Sequence, residues 1–89
     1  MNRIETTRQA QRDLEKIQGR DFDRVVAAIR NLKETPRPPG CKKLKRTIYR
    51  IRVGNWRVIY AVFDKDKLVI IGKVERRSED TYDKVEDLF

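Results

Sequence analysis

The sequence predicts an α+β domain. It has a mostly antiparallel sheet of about four strands, an N-terminal helical hairpin on one face and a short C-terminal helix. Three observations carry this. Apolar residues recur at helical spacing over the first third of the chain. From residue 48 they alternate at strand spacing. Between these regimes lies "TPRPPG", residues 35–40, whose prolines fit neither a helix interior nor a central strand. The 89 residues suffice for one domain, residues 1–89, with a small core.

Taken in order, "NRIET" reads as a short first strand. Thr6 followed by Gln9 fits a capping box, and Ala10, Leu14 and Ile17 then share one helical face. Gly19 is a natural stop. Asp21 is the expected N-cap of a second helix with Phe22, Val25, Val26, Ile29 and Leu32 on its apolar face. After the proline loop, "CKKLKRT" offers Leu44 as its apolar anchor. Strands are expected at 48–53, 56–63 and 68–74, the second turn being "DKDK". "LVIIGKV" is apolar on both faces at its start, which suggests a central strand. In "SEDTYDKVEDLF", Tyr82, Val85 and Phe89 fall on one side of a last helix.

The net charge of +8 is unevenly spread. Residues 1–34 carry eight basic and six acidic side chains, and residues 64–89 carry six and eight. Residues 35–63 carry eight basic side chains and no acidic one, so the imbalance lies in the middle third. A concentrated basic stripe suits a polyanion, most often nucleic acid. With no histidine and a single cysteine, Cys41, a His/Cys metal site and an internal disulfide are both excluded, and no metal or cofactor is expected. No apolar run approaches membrane-spanning length and the N-terminus lacks a signal-peptide core, so a soluble cytoplasmic protein is expected, with no membrane partner.

The stripe is sharpest in "YRIRVGNWRVIY", residues 49–60. Gly-Asn between two alternating runs predicts a two-residue hairpin in which paired residue numbers sum to 109. Arg52 then opposes Arg57, and Arg50 shares their face, while Tyr49, Ile51, Val53, Trp56, Val58 and Tyr60 line the other. Like charges opposed across a sheet are destabilising, so the arrangement makes sense if an anion arrives. Pairing across the next turn, with numbers summing to 131, puts Val74 opposite Arg57 and lets Arg76 continue that face. Arg77 follows at the strand end.

These features resemble the RelE/ParE toxin superfamily, in particular its RelE-like branch. The resemblance rests on "AQRDLEKI", the proline loop with "KKL", the hairpin, and an apolar strand ending in "VERR" with a tyrosine soon after. It implies the toxin of a type II toxin–antitoxin system, a metal-independent endoribonuclease that cleaves mRNA on the ribosome. It also implies a cognate antitoxin, and the ribosome and mRNA as partners. By position it implies site residues at Arg50 and Arg52, where the family has lysines, at Arg57, at Arg77 with Arg76 as the alternative, and at Tyr82. Arginine forks suit a charged phosphorane. Arginine does not give up its proton, which leaves Tyr82 as the candidate base, with Glu75 and Glu79 within range by sequence. Lys42, Lys43, Lys45 and Arg46 are expected to dock on ribosomal RNA phosphates. Two other readings share the stripe: a ParE-like inhibitor of DNA gyrase, and a nucleic-acid-binding module without catalysis.

Overall fold

A computed structural model describes residues 1–76 and Phe89. The chain runs β1 (Arg3–Thr6), α1 (Arg8–Glu15), α2 (Gly19–Asn31), β2 (Lys42–Lys43), β3 (Ile48–Val53), β4 (Trp56–Phe63) and β5 (Leu68–Arg76). The strands form one sheet in the order β1-β5-β4-β3-β2. Five strands stand where about four were expected. The extra one, β2, pairs Lys42 with Arg50 and Lys43 with Tyr49 at the sheet edge. Two exposed lysines carry no apolar alternation, so nothing in their sequence marks a strand. The sheet is mixed, because β1 runs parallel to β5, with Ile4 beside Val69. The expected C-terminal helix lies outside the described residues.

Helix α1 consists mainly of strong helix formers. Its N-cap is Thr7 rather than Thr6, and the Thr7 hydroxyl accepts the Ala10 N–H at 3.1 Å. The Thr6 hydroxyl instead lies 3.2 Å from Gln11 Oε1. Gly19, with φ of 63°, makes the left-handed break between the helices and opens α2. Gln18 occupies the N-cap of α2 with no side-chain bond, and Asp21 sits inside the first turn, where its charge complements the helix dipole.

Both helices cover one sheet face. Ala10, Ile17, Val25, Ile29 and Leu32 pack there against Tyr49, Ile51, Val58, Tyr60, Val62, Val69, Ile71 and Val74. Phe22, expected on the packed face of α2, is instead 38% exposed. Trp56 borders this core and is half-buried.

The proline loop is tied to the same face. The Tyr60 hydroxyl donates to the Pro36 carbonyl at 2.8 Å, and Arg37 donates to the Tyr49 hydroxyl at 3.0 Å while lying over its ring. Arg37 also forks onto Asp64, at 2.7 and 3.2 Å, and holds that carboxyl below its ordinary range. Replacing Tyr60 by phenylalanine is expected to cost about 1 kcal/mol at neutral pH. Burial pushes the Tyr60 phenol above its ordinary value, so the fold favours the neutral form. Its contribution is full below roughly pH 10 and is lost as pH rises through the raised value. Urea unfolding of both proteins at neutral and alkaline pH checks this: the gap between them should narrow as pH rises.

Candidate nucleic-acid interface

The β3–β4 hairpin turns at Gly54 and Asn55. Gly54 has φ of 59°, the positive value that a two-residue turn of this hand asks of its first central position. A Cβ at Gly54 would also stand 3.4 Å from the Arg24 guanidinium, because α2 lays that side chain against the turn. With the turn set, the register follows as expected: Tyr49 pairs with Tyr60, Ile51 with Val58, and Arg52 with Arg57.

Paired residues share a face, so Arg50, Arg52 and Arg57 stand together on the face away from the helices. That face has two parts. Ile48, Ile59 and Ala61 form a small apolar cluster covered by Leu44 and Phe63, and the arginines lie toward the Gly54 turn. Lys42 joins them, opposite Arg50.

The β4–β5 hairpin departs from the expected register. From Phe63–Leu68 to Tyr60–Ile71 the pairs sum to 131. A bulge between Ile59 and Tyr60 then shifts the ladder, so that Lys73 pairs with Ile59 and Val74 with Val58. Glu75, not Val74, stands opposite Arg57. Gly72 is the extra residue, and its bulge is held from α1. Thr7 Oγ1 donates to the Gly72 carbonyl at 2.9 Å, and the buried Asp13 carboxylate accepts the Val74 N–H at 3.0 Å. Gln9 donates to the other Asp13 oxygen at 2.8 Å.

The shift moves two charges relative to expectation. Arg76 does not continue the arginine face. It pairs with Trp56 on the helix side, its guanidinium 5.2 Å from the indole centroid. Glu75 enters the arginine face instead, where Arg57 Nη2 lies 3.2 Å from its Oε2 and 3.4 Å from the Arg76 carbonyl. The side chains of Arg57 and Glu75 are only 12% and 4% exposed. The attraction at 3.2 Å exceeds the repulsion from the opposed Arg52, because Glu75 and Arg57 are shielded from water while Arg52 is exposed to it.

The row Arg52, Arg57, Glu75 thus crosses three strands beside the row Lys42, Arg50, Ile59, Lys73. Such a surface can bind phosphates and spread the charge of a phosphorane. Lys45 and Arg46 are exposed beyond β2, beside Ile48. Lys43 opposes Tyr49, on the side away from the arginines. Arg77, Glu79 and Tyr82 lie outside the described residues. A recess of about 420 Å³ opens beside Arg52, between α2 and Pro38–Gly40. The placement of Glu75 was missed from sequence. The available signal was Gly72, a glycine inside an otherwise apolar strand.

The sequence matches, over residues 4–81, a family described as the ParE toxin of type II toxin–antitoxin system, parDE. A relative in Methanocaldococcus jannaschii, provisionally named toxin RelE1, is 32% identical over 79 residues, covering 83% of this chain and 88% of its own. The fold matches the archaeal RelE–RelB complex of Pyrococcus horikoshii with a TM-score of 0.80 at 29% identity, covering 89% of this chain and 98% of that one. It matches the RelBE2 toxin–antitoxin complex of Mycobacterium tuberculosis with a TM-score of 0.73 at 29% identity, over 83% and 95% of the two chains. Isolated E. coli RelE shares the fold, with a TM-score of 0.78 at 17% identity, over 98% of this chain and 93% of that one.

Proposed function

This chain belongs to the RelE/ParE superfamily of type II toxin–antitoxin toxins, and from that premise we propose that it is a cytoplasmic endoribonuclease cleaving mRNA on the ribosome. The observation that supports nuclease chemistry is the cationic face: Arg50, Arg52 and Arg57 opposed or adjacent, with Lys42 beside them.

In this reading the 2′-hydroxyl of the message attacks the neighbouring phosphorus and the 5′-oxygen leaves. Arg50, Arg52, Arg57 and Arg77 stabilise the phosphorane, and Tyr82 stacks on a base or takes the hydroxyl proton. Tyr82→Phe tests that last role: single-turnover cleavage should fall roughly 100-fold if the phenol moves the proton, and an unchanged rate removes proton transfer from it. Lys42, Lys43, Lys45 and Arg46 dock on ribosomal RNA. Neutralising any one of the four should weaken ribosome binding for every message alike and lower its salt slope by roughly one. Filter binding over a salt series reads this.

The antitoxin partner follows from the same premise. Several solved relatives are toxin–antitoxin complexes. An acidic amphipathic segment suits this surface, with an apolar side chain in the recess beside Arg52 and carboxylates on the arginines.

The family that matches is named for ParE, which keeps gyrase inhibition as the second reading. Induced expression in a bacterium separates the two. Arrest of protein synthesis with mRNA cut at codon-phased positions is the expected result. A DNA-damage response with intact messages would instead establish the gyrase reading.

A further inference from the structure

We propose that Glu75 is a positioning residue for Arg57, its buried carboxylate fixing that guanidinium on the phosphate-binding face before RNA arrives. The activity readout below rests on the nuclease reading; the pairing itself does not.

Three observations carry it. The bulge at Gly72 sets Glu75 directly opposite Arg57, on the arginine side of the sheet. The two side chains meet at 3.2 Å through Arg57 Nη2, which also faces the Arg76 carbonyl at 3.4 Å. Both are largely withdrawn from water, Glu75 almost fully. An arginine on an open strand samples many rotamers and must lose that freedom when it binds. One held by a buried acid has already lost it, and a charged donor fixed in advance is what stabilises a developing negative charge.

The same acid answers the problem of like charges. Arg52 and Arg57 are directly opposed, and without a counter-charge their guanidinium groups would splay apart. Glu75 draws Arg57 toward β5 and leaves the exposed Arg52 on the far side of the row. A carboxylate this deeply buried, and already engaged by Arg57, is placed to orient a cation rather than to reach a substrate hydroxyl.

The test is a double-mutant cycle with wild type, Glu75→Ala, Arg57→Ala and the double variant, plus Glu75→Gln, all checked for folding by thermal melting. Single-turnover cleavage of mRNA on programmed ribosomes should fall about 10- to 100-fold in Glu75→Ala, with half-saturating ribosome concentration changed by less than about threefold. In the Arg57→Ala background the same change should cost less than about twofold or restore some activity, because there is no guanidinium left to position and the acid itself repels the phosphate. Glu75→Gln, which keeps an oxygen acceptor without the charge, should recover part of the loss, and it stands in for Glu75→Ala if alanine does not fold. Separately, nitrogen-15 spectra of the arginine side chains should show an Arg57 Nη–H signal dispersed in wild type and shifted to the free-arginine position in Glu75→Ala. An equal loss of cleavage in both backgrounds would overturn the proposal, as would an Arg57 signal indifferent to Glu75. If wild type leaves ribosome-bound mRNA intact, the nuclease reading fails by itself. The spectra then decide whether Glu75 holds Arg57.

Discussion

Replacing Arg57 by alanine should lower single-turnover cleavage of ribosome-bound mRNA by roughly 100- to 1000-fold, the range expected when one preorganised donor is removed from a developing oxyanion. Two effects add in the same direction. The variant removes a guanidinium held in a mostly buried setting, where charge acts more strongly than at a wetted surface. It also leaves the Glu75 carboxylate without its Arg57 contact, a negative charge next to where a phosphate must sit. Arg52→Ala should cost less, about 10-fold, because Arg52 is exposed and water already screens it. Arg57→Lys should fall between, keeping the charge but losing the fork that matches two phosphate oxygens. Quench-flow kinetics on programmed ribosomes, with circular dichroism as the folding control, measures all three. An Arg57→Ala protein that cuts at the wild-type rate would remove the arginine row from the reaction.

The second large effect is on stability. Asp13→Ala should destabilise the domain by about 1–3 kcal/mol, the cost of leaving a buried backbone donor without its acceptor. For a domain of this size that lowers Tm by roughly 5–20 °C. Asp13 is buried between α1 and β5, where it receives the Val74 N–H two residues past the bulge. Asp13→Asn keeps an acceptor oxygen and should cost under about 1 kcal/mol. Calorimetry on the three proteins checks the order. Because the same bond holds the bulge that turns Glu75 toward Arg57, Asp13→Ala should also slow cleavage at temperatures where it is still folded.

How far the sequence could be read depends on where each constraint originates. The β3–β4 register was legible because a two-residue turn, flanked by Tyr49–Val53 and Trp56–Val58 in strict alternation, set it locally, with no help from elsewhere. The helices were legible from their apolar spacing, although the cap moved by one residue between two adjacent threonines. What separates them is the second bond of Thr7, to Gly72, which Thr6 does not make. The partner of β1 was not legible, because a four-residue strand carries no record of which edge it joins or in which direction.

The amino-acid order alone determined a basic, proline-interrupted α+β chain whose hairpin opposes Arg52 to Arg57, since composition and short-range turn chemistry act within a few residues. The tertiary structure decided which acid meets those arginines. Thr7 and Asp13, about sixty residues before the bulge, supply the donor and the acceptor, respectively, that let β5 take in Gly72. One inserted residue exchanges Val74 for Glu75 opposite Arg57, and turns Arg76 to the other side of the sheet. Strand faces alternate every residue, so a single long-range hydrogen-bonded bulge outweighs an otherwise regular pattern.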